Sequence, residues 1–148
     1  MTDLKTRITE DVKIAMKAGE KDRVSLLRML TAELKQREVV EQIVLTDAAV
    51  IAAIEKMLKQ RKDSEQQFRA GNRPELADKE AGEIALLMTY LPAQLSEAEL
   101  DAILAATIAE TAAAGPKDMG KVMAAIKPKV AGKTDMGALS ARIKAKLG

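Results

Sequence analysis

Cysteine, histidine and tryptophan are absent from this chain of 148 residues, and tyrosine and phenylalanine occur once each. Without cysteine there is no disulfide framework, no thiolate nucleophile and no cysteine-ligated zinc. Without histidine the imidazole triads of serine and cysteine hydrolases, and the usual imidazole metal sites, are excluded. The scarcity of rings argues against reading single-stranded bases by stacking. No apolar run approaches the roughly 18 residues that a membrane span needs. Residues 1–7 hold no apolar core of a signal peptide. These absences predict a soluble, cytoplasmic protein with little catalytic equipment, no cofactor and no membrane partner.

What the chain has is helix-forming bulk: 47% of its residues are hydrophobic and 31% charged. That is ample for a core, and the charge reads as a solvated surface rather than a disordered tail. The length suits one compact domain or two small ones. The net charge of +2 hides an asymmetry, because residues 116–148 carry eight cations against two carboxylates, a local +6. Residues 1–115 hold the other 16 basic groups and 20 acidic ones, a local −4. Blocked charge of this kind predicts two parts with different partners, the basic one able to attract a polyanion.

Strand formers never alternate for long, while Ala, Leu, Lys, Glu and Met dominate. Leu4, Ile8, Val12 and Ala15 mark a first helix, with Gly19 placed as its C-terminal cap. Val24, Leu27, Thr31 and Leu34 mark a second, widened by Leu26 and Leu30 and fraying near Val39 and Val40. Thr46 and Asp47 open a third, roughly 40 Å long at 1.5 Å per residue. Its apolar positions are Val50, Ile51, Ile54, Met57, Leu58 and Phe68, and it ends before Gly71. A fourth begins at Pro74, buries Ala77, Ile84, Leu87 and Met88, and ends at Leu91 before Pro92. Ser96 and Glu99 then form a capping box, with Leu95 stapled onto Leu100. The expected fold class is all-α. An antiparallel helical bundle spans residues 1–92, and a small three-helix domain spans 93–148, joined by a short hinge.

The basic tail contains an internal repeat. Asp118-Met119-Gly120 recurs as Asp135-Met136-Gly137, and Ala124, Ile126, Lys127 and Lys129 recur at the same offset of 17 residues. Each unit reads as an Asp N-cap, a first-turn Gly, an apolar stripe and lysines in the last turn. Acid at the start and base at the end both complement the helix dipole. The two glycines serve either tight helix packing or the close approach of a phosphate to exposed amides.

No self-contained active site is legible. Carboxylates are spread along helix faces rather than grouped at ligand spacing, and there is no glycine-rich phosphate loop or dinucleotide fingerprint. The site reading therefore has no catalytic residue and no metal ligand. It has a candidate phosphate-binding set in Lys117, Lys121, Lys127, Lys129, Lys133, Arg142, Lys144 and Lys146. The same lysines read equally as a solubilising surface. A second candidate is a protein partner's docking face on the third helix at Gln60, Arg61, Lys62 and Ser64. There the apolar stripe weakens and the helix is expected to project beyond the bundle.

Four segments carry a family resemblance. They are Arg28-Met29-Leu30 through Lys35-Gln36-Arg37-Glu38-Val39, the stretch from Lys56 to Phe68, Tyr90-Leu91-Pro92 with Gln94-Leu95-Ser96, and Met119-Gly120-Lys121-Val122-Met123 through Gly132. Together they resemble the GatB/YqeY family, in its short stand-alone YqeY-like form, over essentially the whole chain. The tail is similar to the C-terminal domain of the B subunit of glutamyl/aspartyl-tRNA amidotransferase, which helps to hold tRNA. The resemblance implies an all-α protein that binds tRNA or another structured RNA as an accessory, without its own active site. The alternative it implies is an auxiliary component of a glutamine-dependent carbon–nitrogen ligase acting on Glu-tRNA(Gln) or Asp-tRNA(Asn). The kinase-like cradle of the B subunit and the Ser-Ser-Lys amidase centre have no counterpart in these residues.

Overall fold

The computed structural model describes residues 3–148, and every regular element among them is helical. The chain divides into two compact units, one ending at Leu91 and the other spanning Pro92–Gly148.

The first unit holds α1 (Leu4–Ala18), α2 (Lys21–Glu41), α3 (Asp47–Ala70) and α4 (Pro74–Met88). Local chemistry sets most of these ends. The Asp3 carboxylate accepts from the Thr6 amide at 2.7 Å, and Thr46 Oγ1 accepts from the Ala49 amide. Gly19 sits at φ 70° beyond α1. The Gly19 amide donates to Met16 and the Glu20 amide to Ala15, which satisfies two orphan carbonyls at the helix end. The Leu4 amide donates to Asp47 Oδ1 at 2.9 Å, so the starts of α1 and α3 are tied together.

The core is one aliphatic cluster. Ile8 and Ala15 of α1, Leu26, Leu27, Leu30 and Leu34 of α2, Val50, Ala53, Ile54, Met57 and Leu58 of α3, and Leu87 of α4 are all buried in it. The α1, α2 and α3 stripes thus follow the period read from the sequence. The fourth helix stops at Met88 rather than Leu91. Thr89 Oγ1 folds back onto the Leu86 carbonyl and Tyr90 enters the core, so the last residues form a turn.

The third helix does not project. Its C-terminal half packs along α4 through charge: Arg61 pairs with Glu83 at 2.9 Å, and Arg69 meets Asp78 at 3.2 Å. The apolar stripe weakens there because the contact is made by ion pairs, not because the surface is free.

The second unit holds α5 (Glu97–Thr111), a single 3-10 turn at Pro116–Asp118, α6 (Met119–Val130) and α7 (Met136–Leu147). Leu100 and Leu104 meet Val122, Ile126 and Val130 and their repeat equivalents Leu139, Ile143 and Leu147 in a second core. The repeat is therefore structural: the same three positions of each 12-residue helix point inward. The Ser96–Glu99 capping box is present with both bonds made.

The segment read as a hinge is partly built into this unit. Gln94 Nε2 donates to the Gly132 carbonyl at 2.7 Å, and the Leu95 amide donates to the Lys133 carbonyl at 2.9 Å. Gly132, at φ 73°, makes the turn after α6 that presents these two carbonyls.

Candidate nucleic-acid interface

The eight candidate cations fall into two groups. Arg142 reaches across to α5, with Nη1 on Asp101 at 2.8 Å and Nη2 on Glu97 at 3.1 Å. Lys129 Nζ pairs with Glu110 at 2.8 Å and donates to the hydroxyl of fully buried Thr107 at 3.1 Å. These two cations hold the unit together and are not free for an external phosphate. Lys117, Lys121, Lys127, Lys133, Lys144 and Lys146 form no ion pair among the described residues, and all but half-buried Lys133 are exposed.

Helix α5 is thus the counter-ion of the tail. Across Pro92–Gly148 there are eight basic and six acidic groups, so the folded unit carries +2, not the +6 of the tail taken alone. The first unit is balanced, with 16 groups of each sign. The charge asymmetry read from the linear sequence shrinks once α5 is counted with the helices it packs against.

Lys127 and Lys144 occupy matching places, each one residue beyond a buried isoleucine in the last turn of its helix. Lys146 repeats Lys129 in register, but the Glu110 partner serves only Lys129. The capping symmetry also breaks. Asp135 accepts from the Ala138 amide as an N-cap, whereas Asp118 lies inside the 3-10 turn and accepts from the Ala114 amide at 2.8 Å. That backbone bond, with the Gly115 amide and the nearby Lys121 charge, holds the Asp118 carboxyl below its usual range. Glu99 is likewise lowered, by its bond with the Ser96 cap.

The first-turn glycines are not required by packing. A methyl group placed on Gly120 would meet nothing within 4 Å, and one on Gly137 would meet only Asp135 Oδ2 at an ordinary 3.6 Å. Both glycines are exposed, and neither has a positive φ.

The bundle carries its own polar sites, which sequence patterns did not single out. Tyr90 is buried, and its hydroxyl donates to Asp11 Oδ2 at 2.6 Å. The Arg7 guanidinium lies 4.9 Å from the ring centroid, and Arg23, paired with Glu20, also faces the hydroxyl. Burial first, and the Asp11 carboxylate second, push the Tyr90 phenol up to about 12, against the opposing pull of Arg23. A lone tyrosine in an aliphatic sequence was the available signal. Among the third-helix residues, Gln60 is exposed and Lys62 and Ser64 are half-buried, while Arg61 is buried. Arg61 Nη2 reaches Met29 Sδ at 3.7 Å, and its Nε lies beside Glu83 without pointing its hydrogen at the oxygen. No group of three or more acidic side chains among the described residues is placed to hold a metal ion. No described helix is long and apolar enough to cross a membrane.

An all-α chain of two helical units, with a basic helical repeat in the second, defines the class. Residues 5–147 match the family model described as Yqey-like protein, and the chain belongs to that family. Three fungal proteins are among the curated relatives it matches. A Schizosaccharomyces pombe protein described as uncharacterized is 34% identical over 82 residues, which is 55% of this chain and 67% of that protein. The protein named "Altered inheritance of mitochondria protein 41, mitochondrial" is 28% identical in Pyrenophora tritici-repentis, over 82% of this chain and 70% of the relative. Its namesake in Lachancea thermotolerans is 33% identical over 77% of this chain and 63% of the relative.

Proposed function

We propose that this YqeY-like protein is an RNA-binding accessory protein, with tRNA or a similarly structured RNA as its ligand and no active site of its own. The observation that carries the reading is the set of six lysines in the second unit that form no ion pair among the described residues, five of them exposed, with Lys121 standing near the Asp118 carboxylate. Such cations bind phosphates by displacing condensed counterions, without regard to base sequence. The first turn at Gly120 supports it, because the space beside that glycine is open and leaves room for a phosphate. The poverty in aromatic rings fits recognition of backbone and shape rather than of splayed bases. Lys129 and Arg142 are assigned to holding the fold. RNA of this kind is present in the cytoplasm and in the mitochondrial matrix alike, so the cytoplasmic expectation and the names of the two fungal relatives are both compatible with it.

The test is fluorescence anisotropy of labelled bulk tRNA with the full chain, its Lys127→Glu/Lys144→Glu variant and its Arg142→Gln variant. The reading expects the lysine reversal to weaken binding and Arg142→Gln to leave it nearly unchanged. Equal binding by parent and lysine-reversed protein would remove the tail as the footprint.

A further inference from the structure

The strongest unexplained feature of the first unit is apolar and exposed. Val39, Val40 and Val44 are 67%, 71% and 88% exposed, and Ile43 lies beside them at 39%. They occupy the last turn of α2 and the stretch before α3, and they are contiguous in sequence save for Glu41 and Gln42. Branched aliphatic side chains at this density are unusual on a solvated surface, and the four leave on the order of 400 Å² of apolar area open. A cleft of about 370 Å³ adjoins Val39, lined by Leu34 with Lys5, Thr9, Thr31, Lys35 and Glu38.

Among the described residues the backbone of 42–46, the stretch before α3, joins no helix, and Gln42 turns the chain out of α2 at φ 52°. The amides of Gln42, Ile43, Val44 and Leu45 donate to no backbone carbonyl of the described residues. Leu45 packs against the core while its neighbour Val44 is turned to solvent, the alternation of a half-buried strand.

We infer that residues 39–44 are a self-association surface, two copies of this chain meeting about a two-fold axis at Val44. Two observations favour a second copy over an unlike partner. Antiparallel pairing of two identical short segments is itself two-fold symmetric, so the amides and carbonyls on one edge of 43–45 complement those of a second copy without further design. The first unit has equal numbers of acidic and basic groups, so no net charge opposes the approach of two copies. The apolar patch supplies about half of the roughly 800 Å² per partner in a standard interface, and the adjoining cleft adds the charged ends of Lys5, Lys35 and Glu38 as a rim. In this register Val44 lies opposite Val44 of the other copy, and Ile43 lies opposite Leu45.

The experiment uses full-length protein freed of nucleic acid, so that its outcome is independent of RNA binding. Sedimentation velocity from about 1 to 500 µM should show a monomer–dimer equilibrium. Val40→Asp and Val44→Asp replace exposed side chains and should leave the circular dichroism melt intact. Each should raise the dimer dissociation constant about 100-fold, since each copy loses roughly ten-fold in burial of a valine and contributes that loss twice. The native chain has no cysteine, so Val44→Cys introduces a single thiol. With dissolved oxygen as electron acceptor, two such thiols facing each other should couple to a disulfide dimer, since facing strand residues match disulfide spacing. Exposed Lys59→Cys serves as the control and should stay mostly monomeric. A parent that remains monomeric at 500 µM overturns the proposal, as do aspartate variants that dimerise like the parent or equal cross-linking at positions 44 and 59.

Discussion

Replacing both first-turn glycines by alanine separates a packing role from a ligand-facing one. A helical Gly costs about 0.5–1 kcal/mol relative to Ala, and less in a first turn, so about 0.5 kcal/mol each is a fair expectation. Steric opposition is absent: Gly120 has open space where a methyl would stand, and Gly137 has only the 3.6 Å contact with Asp135 Oδ2. Gly120→Ala/Gly137→Ala should therefore stabilise the second unit by about 1 kcal/mol. For a unit of this size that raises the melting temperature by roughly 4–8 °C. The assay is thermal melting of the full chain followed by circular dichroism at 222 nm. In parallel, tRNA anisotropy at low salt should report weaker binding, because the new methyls stand where a phosphate would approach the amides. A melting temperature that falls would refute the geometric argument and return the glycines to packing. Higher stability with unchanged tRNA affinity would show that the ligand does not use the helix starts.

Other consequences are equally concrete. Tyr90→Phe removes a 2.6 Å bond to a carboxylate, which should cost about 1.5–3 kcal/mol in chemical denaturation of the first unit. Because the folded phenol is raised to about 12, Tyr90 contributes full stability below its unfolded value near 10. That contribution is lost as the pH climbs from 10 through 12, and a Tyr90→Phe variant should lose less stability over the same window. Asp118 and Glu99 have lowered carboxyls, so their contribution is present above about pH 4 and fades as pH falls further. Gly19→Ala forces a side chain into a left-handed position at φ 70° and should destabilise the bundle by about 1 kcal/mol, read from the urea midpoint. Gln94→Ala breaks the 2.7 Å bond to Gly132 and should lower stability of the second unit by about 1 kcal/mol.

Much of the fold was legible because helix ends are local. Thr46, Ser96 with Glu99, Gly19 and Pro74 act within a few residues of where they stand, and each marks the boundary it suggested, whereas the Asp3 cap of α1 was not read from the sequence. The tail repeat was legible too, since identical spacing puts Val122, Ile126 and Val130 in the same roles as Leu139, Ile143 and Leu147. What was not legible is long-range pairing. Arg142 finds Asp101 at a separation of 41 residues, and Lys129 finds Glu110 at 19, so two of eight candidate cations belong to the fold. Arg61 looked like surface because a charged residue interrupts an apolar stripe, yet α4 supplies Glu83 against it. Asp118 matched Asp135 in sequence, but the proline-led turn before α6 diverts its carboxylate to the Ala114 amide.

The central claim is that free lysines of the second unit bind structured RNA, and its most direct test is the salt dependence of tRNA affinity. With four to six phosphate contacts and about 0.9 counterions released per contact, affinity should fall about 150- to 1,800-fold between 50 and 200 mM salt. The Lys127→Glu/Lys144→Glu variant should bind more weakly and show a shallower salt slope than the parent. Absence of binding at tens of micromolar protein in 50 mM salt, or a slope unaffected by the double reversal, would contradict the account.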